Sequence, residues 1–587
     1  MKTVWKVLEP ETCVVRQLEK SLGCSPVTAT VLANRNIVSA DSAEQFLNTD
    51  LSGFRAPFSI KDMDRAVERV TAAILRKEHI LVFGDYDVDG VSSTALLLEF
   101  FRHTGTRASF YIPHRIQEGY GLQPYHITDL ALSRDIDLII TVDCGSSNHE
   151  AVRAATKHGV DVVITDHHQI PDPPPPACAV VNPKRVDCRA GFEHLAGAGV
   201  AFCLLICLRK QLRKINFWKN RPEPNLKHFT DLAALGTVAD VVPLVDENRI
   251  LTRTGLEVIN SGMRNGILAL IESSGIKNRT ADSEDIGYKL APRLNAAGRL
   301  EHASIAVDLL TTQEMSTARK ISRRLKDLNE KRQTTEKDTY QQIMDHFDSN
   351  PHLLQRQSVV LSDDRWHEGI LGIVASRIAG KFLRPTILIS TRNGIGKGSG
   401  RSIPGLDLHG ALSACAGRLE QFGGHPMAAG LQIKRENIGP FSRDFENNVQ
   451  KRCRPENFKR ELAIDFILNF EDITERLLNE LESLKPFGEG NTEPLFLAEN
   501  IGVISSRIVG GRHLKLRLKQ SCSWKTVNAI YFNPDADLPL PEHLEKLVFK
   551  IRRNRYNGRK NIQLIIEDVI TKECVRQVCF QSPFEFS

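Results

Sequence analysis

The chain has 587 residues, of which 41% are hydrophobic and 25% charged, the balance of an ordinary globular protein with material for about three to five domains. Its net charge of +6 is small for that length and excludes a polycation, so a nucleic-acid partner has to be argued from local basic patches. The twelve cysteines are scattered, none has zinc-ligand spacing, and the set fits a reducing cytoplasm.

In chain order, the opening MKTVWKVLEPETC lacks the apolar core of a signal peptide, and residues 1–50 are expected as an N-terminal helical segment. From about Ile80 to Asn182 short β-rich runs (HILVFG, ASFYIP, IDLIITV, VDVVIT, ACAVVN) alternate with helix-like stretches such as SSTALLLEFFRHTG and HEAVRAATKHG. Strands that read as unbroken Val/Ile/Leu runs are buried on both faces, which predicts a parallel, doubly wound α/β sheet. The segment from Leu195 to Leu208, which holds Cys203 and Cys207, is apolar but too short to span a bilayer. No membrane is expected. Residues 230–310 look helical.

A charged stretch follows, RKISRRLKDLNEKRQTTEKDTYQQIMDHF, in which Ile321, Leu325 and Leu328 give only a thin apolar stripe. It predicts a long connecting helix over 313–347, solvated along most of its surface. A second α/β pattern occupies 348–455, with SVVLS, a helix from Gly369, PTILIS and glycine-rich turns. Short strands then run from about Ala498 to Val569, with a hairpin signal at Asn557-Gly558. A connector and β-barrel are expected over 456–575 and a tail over 576–587.

Acidic residues and histidines fall at the strand ends. The first strand runs into Asp85, Asp87 and Asp89, the third into Asp143, the fourth into Asp166, His167 and His168, and Asp240 follows an apolar stretch in GTVADVVPL. Ligands of open parallel sheets bind beyond the carboxyl ends of the strands, so these groups converge on one crevice. A lone aspartate after a strand is as ordinary as a helix N-cap, and Asp166 suits orienting a loop or a histidine as well as touching metal. The set is harder to dismiss. Like charges a few ångströms apart need compensation, and oxygen ligands with imidazole and no thiolate favour Mn²⁺ or Mg²⁺ over zinc. Two such ions about 3.5–4 Å apart suit in-line phosphoryl transfer.

The runs GDYDVDGVSSTALL, TVDCGSS, ITDHH and LAALGTVADVVPLVDENR resemble, in order, the four motifs of the DHH phosphoesterases. YIPHR with EGYGL, LAGAGVAF, LAPRLNAAGRL, WHEGILGIVASR, GKGSGRS and FGGHPMAAG resemble the RecJ exonuclease branch in particular. The resemblance implies a DHH catalytic domain over 51–312, the connecting helix, a DHHA1 domain over 348–455 and a C-terminal OB-fold. It implies two Mn²⁺ or Mg²⁺ ions held by Asp87, Asp89, Asp143, His167 and Asp240. Asp85 is a further ligand or supporting residue, where other branches carry a histidine. Asp87, Asp143 and His168 are implied as catalytic, His168 at the scissile phosphate or the leaving oxygen.

Arg115, Arg299, Ser399, Arg401 and His425 are the candidate substrate groups, expected to hold a 5′-terminal phosphate. Arg512, Lys515, Arg517, Arg553 and Tyr556 lie in basic, aromatic-bearing strand pieces of the kind with which OB-folds hold single strands. The implied function is 5′→3′ digestion of single-stranded DNA to 5′-mononucleotides in recombination and repair. A single-strand-binding protein and a helicase are the expected partners. Two other classes stay open at this point: a DHH phosphodiesterase of short oligoribonucleotides or cyclic dinucleotides, which is typically shorter and lacks an OB segment, and a non-catalytic replication scaffold, which the intact Asp and His set disfavours.

Overall fold

Unbroken Ile, Val and Leu runs make strands that must be covered on both faces. The computed structural model, which describes residues 3–276, 279–521, 523–534, 542–556 and 559–571 (backbone alone at 555, 556, 559 and 560), builds its first region on that principle. β1 (Ile80–Gly84), β2 (Ala108–Tyr111), β3 (Leu138–Val142), β4 (Asp161–Thr165) and β5 (Ala179–Val181) form a parallel sheet in the order β2-β1-β3-β4-β5. Alternate residues serve different cores. Ile80, Val82, Ile140 and Val142 pack with helix Met63–Arg76, α1 (Val88–Thr104), α2 (Gly197–Lys214) and α3 (Thr230–Ala239). Leu81, Phe83, Ile139 and Ile164 face the other way, toward residues 124–131 and helix His149–Lys157. The sheet is doubly wound. Cys203 and Cys207 are buried apolar members of α2.

The chain leaves β1 for β2 on one side and returns to β3 on the other. The carboxyl ends of β1 and β3 therefore flank the switch point where ligands of such sheets bind. Further on, α4 (Ala291–Leu300) packs beside α5 (Met315–Ser349), a single helix of 35 residues. Its buried face is wider than the thin stripe the sequence predicts, because polar residues share it. Ala318, Ser322, Leu325, Asn329, Arg332, Glu336, Thr339, Ile343 and Phe347 recur every three or four positions, all buried. The Arg332 guanidinium donates to Asn329 Oδ1 (2.6 Å) and to Glu336, whose other oxygen accepts from Arg377 (3.0 Å). Satisfied in this way, buried charges read as surface in the sequence.

β6 (Val359–Asp363), β7 (Thr386–Arg392), β8 (Ile395–Arg401), β9 (Gln421–Gly424) and β10 (Ala428–Lys434) form a second sheet, in the order β9-β10-β8-β7-β6. Only β6 and β7 are parallel, and α6 (Leu371–Phe382) packs on β7 and β8. Both sheets belong to one compact unit over 50–460.

A second unit combines Thr3–Thr49 with the chain from Glu461 onward. β11 (Phe496–Val509), β12 (His513–Gln520), β13 (Thr526–Tyr531), β14 (His543–Tyr556) and β15 (Arg559–Ile570) pair in the order β11-β12-β13-β15-β14, and β14 returns to β11 to close a five-stranded barrel. Closure removes the sheet edges. The hairpin expected at Asn557-Gly558 lies outside the described residues. The N-terminal helices join this unit: helix Pro26–Asn34 shares a core with Phe470, Phe496 and Phe549, and strand Val4–Val7 pairs in parallel with Glu461–Ile464. No helix among the described residues is long and apolar enough to cross a membrane.

Phe549 is fully buried, with its ring 6.0 Å from that of Phe496 and 6.2 Å from that of Phe470. Phe549→Ala is expected to destabilise this unit by about 3–5 kcal/mol. Denaturant-dependent hydrogen exchange in β11 and β14 reads the loss.

Candidate metal centre and catalytic crevice

Each acidic group is set by the end of an element. Asp87 caps α1, its Oδ1 accepting from Asp89 N (2.9 Å) and Gly90 N (3.2 Å), which turns Asp85, Asp87 and Asp89 toward the space above the sheet. Asp143 follows β3 with φ +58° and donates its amide to Thr165 O (3.0 Å). A non-glycine residue in that region is uncommon and fits strain held at a working site. His167 and His168 follow β4, and Asp240 follows α3. Three groups of side chains bring their ligand atoms within 4.8 Å of one another: Asp85, Asp87 and Asp143; Asp89, His167 and Asp240; Asp143, His167 and His168. His167 Nε2 lies 3.1 Å from Asp143 Oδ1, 3.5 Å from Asp240 Oδ2 and 3.8 Å from Asp89 Oδ2.

Two glycines make this approach feasible. The Asp89 carboxylate accepts from Gly197 N (2.6 Å) and Ala198 N (2.8 Å), the first amides of α2, where the helix dipole favours negative charge. A Cβ on Gly236 of α3 would stand 2.4 Å from Asp89 Oδ1, and one on Gly197 would stand 2.7 Å from Asp143 Cβ. The sequence displays LAGAGVAF and GTVAD but not this role, since the glycines act by what they lack.

The cluster is electrostatically unbalanced. Burial, followed by repulsion from Asp87, pushes the Asp85 carboxyl well above its usual range. Burial and then Asp89, Asp87 and Asp85 do the same to Asp143, and burial with Asp89 and Asp87 to Asp240. Asp89 is pushed up to about 7 by burial and Asp87. His167 is pushed down to about 3 by burial and then by His168. Asp85 Oδ1, Asp143 Oδ1 and both His167 ring nitrogens have no hydrogen-bond partner among the described residues. Orphaned carboxylate oxygens facing an orphaned neutral imidazole are a donor set that fits Mn²⁺ or Mg²⁺, hard cations that supply the missing charge.

Asp166 belongs to none of the three groups. It accepts from His167 N (2.7 Å), His168 N (3.2 Å), His168 Nδ1 (2.8 Å) and Ser146 N (3.0 Å). These bonds, against the opposing effect of burial, hold its carboxyl below the usual range. Asp166 orients the histidine pair. Burial lowers the proton affinity of His168, but its bond to Asp166 prevails and raises it to about 9. With Nδ1 bound to Asp166, Nε2 is the nitrogen left for a substrate. The His425 ring stacks on His168 at 5.5 Å. Tyr120, unassigned from the sequence, donates its hydroxyl to Asp143 O (3.2 Å) beside His168 Nδ1 (3.1 Å).

Beside the carboxylates lies the opposite imbalance. Arg115 stands over the Tyr86 ring at 4.6 Å. Arg299 donates to Gly369 O (3.1 Å), and Arg401 to Gly400 O (2.8 Å) and Ser399 Oγ (3.3 Å). None of the three forms an ion pair to a carboxylate within 4 Å among the described residues. Burial, then Arg115 and Arg401, bring Arg299 down to about 9, and burial lowers Arg401. Half-buried guanidinium groups without counter-ions are suited to receive an anion.

In the second unit, β12 alternates buried Leu514, Leu516 and Leu518 with outward Lys515, Arg517 and Lys519, and Arg512 is exposed just before it. Lys519 lies over the Trp524 ring at 4.9 Å, and that indole is 91% exposed. The Arg553 guanidinium is occupied within the unit, bonding Glu475 (2.7 Å), Asn479 (2.8 Å) and Glu482 (3.2 Å). The side chain of Tyr556 lies outside the described residues.

Comparison with known proteins accords with this geometry. Residues 79–237 match the DHH family, N-terminal domain, 355–451 the DHHA1 domain and 464–568 the RecJ OB domain. The chain is 35% identical to the single-stranded-DNA-specific exonuclease RecJ of Bacillus subtilis (strain 168), over 97% of this chain and 71% of that one. It is also 35% identical to the RecJ of Escherichia coli (strain K12), over 93% and 96%. Among solved structures, RecJ from Thermus thermophilus in complex with Mn²⁺ matches with a TM-score of 0.82 at 31% identity, over 97% of this chain and 79% of that chain; its Mg²⁺ complex matches at 0.76.

A balance that waits for cations predicts opposite effects of one substitution. Asp143→Asn is expected to raise the melting temperature of the metal-free protein by removing a repelling charge. It should also abolish most of the gain that millimolar Mn²⁺ gives the wild type, about 2.7 kcal/mol at a hundred times the dissociation constant. Thermal melts with and without Mn²⁺ check both signs.

Proposed function

The chain belongs to the RecJ family of single-stranded-DNA-specific exonucleases, and from that membership we propose that it removes 5′-mononucleotides one at a time from the 5′ end of single-stranded DNA with two divalent cations. The observation that carries this reading is adjacency: a carboxylate–imidazole cluster in which Asp85 Oδ1, Asp143 Oδ1 and both His167 ring nitrogens lack a hydrogen-bond partner, beside arginines that have no carboxylate partner among the described residues.

Asp85, Asp87, Asp89, Asp143, His167 and Asp240 would hold the ions. When bound, Mn²⁺ or Mg²⁺ activates water and neutralises charge at a phosphate. The rest falls to the chain itself. Arg115, Arg299 and Arg401, with Ser399, hold the 5′-terminal phosphate through charge-assisted hydrogen bonds. This fixes the distance from the strand end to the cluster, so the first linkage is the one presented. Asp166 keeps the Nδ1 proton of His168 in place and His425 limits its ring. The His168 imidazolium, of raised proton affinity, donates a proton from Nε2 at the scissile phosphate or the leaving 3′ oxygen.

The division of labour we propose follows the domains delimited in the sequence: chemistry over 51–312, closure on the terminal nucleotide over 348–455, and retention of the strand over 456–575. There Arg512, Lys515 and Arg517 bind phosphates while aromatic rings stack bases. Single-stranded ends arise in recombination and repair, which sets the proposed role in the cytoplasm, with a single-strand-binding protein and a helicase as partners.

Digestion of an end-labelled oligonucleotide tests the reading. Loss of the 5′ label as mononucleotide, only with Mn²⁺ or Mg²⁺ and only from single-stranded DNA, is expected. Turnover of di- to tetranucleotide RNA with no cleavage of long DNA would move the chain to the small-oligonucleotide branch, and binding without hydrolysis would make it a scaffold. Asp143→Ala is expected to cut turnover at least about a hundredfold while DNA affinity is kept. Arg401→Ala should reduce the preference for a 5′-phosphate over a 5′-hydroxyl end by about 10–100-fold, the worth of one charged hydrogen bond; equal losses on both ends would refute that assignment.

A further inference from the structure

Lys397 stands in the same run, GKGSGR, as Ser399 and Arg401, and β8 aligns the three. Alternate residues of a strand face one side, roughly 7 Å apart, so Lys397, Ser399 and Arg401 form a row. The glycines between them face the opposite way. A Cβ on Gly396 would stand 2.7 Å from Ile389 Cγ2, and one on Gly398 would stand 2.8 Å from Leu431 Cδ1. On the face of the row, α6 leaves room through Gly372, where a Cβ would meet the Arg401 guanidinium at 2.7 Å and Ser399 Oγ at 3.0 Å.

Lys397 reaches from this row to the first sheet. Its Nζ donates to Ile116 O (3.1 Å), in the residue after Arg115, and lies 3.5 Å from Glu368 Oε2. The loop that receives it is braced from within. His114 Nδ1 accepts from Ile116 N (3.2 Å) and Gln117 N (3.3 Å), and the Glu118 carboxylate accepts from His114 N (2.8 Å) and the Tyr111 hydroxyl (2.8 Å). What holds Ile116 therefore also places the backbone of Arg115.

The carboxylate beside Lys397 leads to the third arginine. Glu368 precedes Gly369, whose carbonyl accepts from Arg299 (3.1 Å). Gly369 lies so close to α4 that a Cβ there would stand 2.2 Å from Arg299 O. One ammonium thus touches the neighbour of Arg115, touches the neighbour of the Arg299 acceptor, and shares a strand face with Arg401. Guanidinium groups without carboxylate partners repel one another, so their spacing has to be set by other contacts. The Lys397 side chain is 42% exposed, and an ion pair that open to water contributes little stability. Its value lies in geometry.

We propose that Lys397, seated on Glu368, is a positioning residue for recognition of the 5′-terminal phosphate. It ties the Arg115 loop of the first sheet to the strand that carries Ser399 and Arg401, and so sets the spacing of the three arginines. This rests on the 5′-phosphate reading above and explains how a pocket divided between two sheets keeps one shape. Lys397 acts through these groups and does not itself meet the phosphate. Arginine has donors for both the carbonyl and the carboxylate and should serve in its place. Methionine, of similar length with neither charge nor donor, should not.

The test is the ratio of kcat/KM for 5′-phosphorylated over 5′-hydroxyl oligodeoxynucleotides, read as release of the first nucleotide with Mn²⁺. Lys397→Met is expected to lower that ratio about tenfold, the size of one charged hydrogen bond, chiefly through KM for the phosphorylated end. Lys397→Arg should restore most of it. A lysine that served stability alone would lower turnover of both ends alike, and that result would overturn the proposal. A double variant separates positioning from direct contact. In an Arg115→Ala background Lys397→Met should cost little further, because both changes remove the same interaction. Full additivity would mean that the lysine meets the phosphate itself, against the proposal. Wild-type protein with no preference for a 5′-phosphate would sink the pocket reading and this one together. A wild-type preference that Arg401→Ala removes and Lys397→Met leaves intact would sink this one alone.

Discussion

Three buried carboxylates, Asp85, Asp89 and Asp143, and the half-buried Asp240 share a crevice with an imidazole that burial keeps neutral, and much of the catalytic unit can be understood as what it takes to hold them there. Two unit charges 4 Å apart repel by about 4 kcal/mol at an effective dielectric of 20. Several such pairs are a large sum against the net stability of a folded domain, about 5–15 kcal/mol. The scaffold answers with backbone. α1 begins on Asp87, α2 begins on Asp89, and the β1/β3 switch point brings Asp143 between them. Helix N-termini favour anions through amide hydrogens and dipole, so part of the charge is balanced by groups that occupy no room in the crevice. What remains unbalanced is a set of orphaned oxygen and nitrogen atoms that a small divalent cation fits.

The arginine pocket is the mirror case and obeys the same logic. Arg115, Arg299 and Arg401, each half-buried, repel one another, and the fold tolerates them because carbonyls of Gly369 and Gly400 accept from Arg299 and Arg401. Placing an anionic and a cationic imbalance side by side without letting them form salt bridges keeps both available. Had Arg115 paired with Asp85, each charge would have been consumed as Arg185 is consumed by Asp62 and Asp187. The Tyr86 ring offers Arg115 a partner that leaves its donors free.

Most of the catalytic fold was legible because it is local. β1, β3 and β4 are near-continuous apolar runs buried along almost their whole length, and an acidic or histidine motif stands at the carboxyl end of each. What escaped the sequence is what depends on distant partners. Arg553 sits in a basic stretch, and nothing near it announces Glu475, Asn479 and Glu482, some seventy residues earlier in the chain. The strand Val4–Val7 finds its parallel partner at Glu461–Ile464, a pairing without a local signal. The long helix α5 buries a wider face than its apolar stripe suggests for a related reason: Arg332 and Glu336 look like surface residues until each is seen to satisfy the other. Gly197 and Gly236 show a third limit, since their contribution is a missing methyl group at the point where two carboxylates crowd a helix.

A nuclease that recognised only the scissile phosphate would have no reason to prefer one end of a strand, because the backbone repeats every nucleotide. Polarity requires an asymmetric reference, and Arg115, Arg299 and Arg401, which have no carboxylate partner among the described residues, are the reference that the proposed reading supplies. On the proposed reading the distinguishing mark is the second negative charge of a terminal phosphate, which an internal linkage lacks, so direction would be set by electrostatics with no base being read.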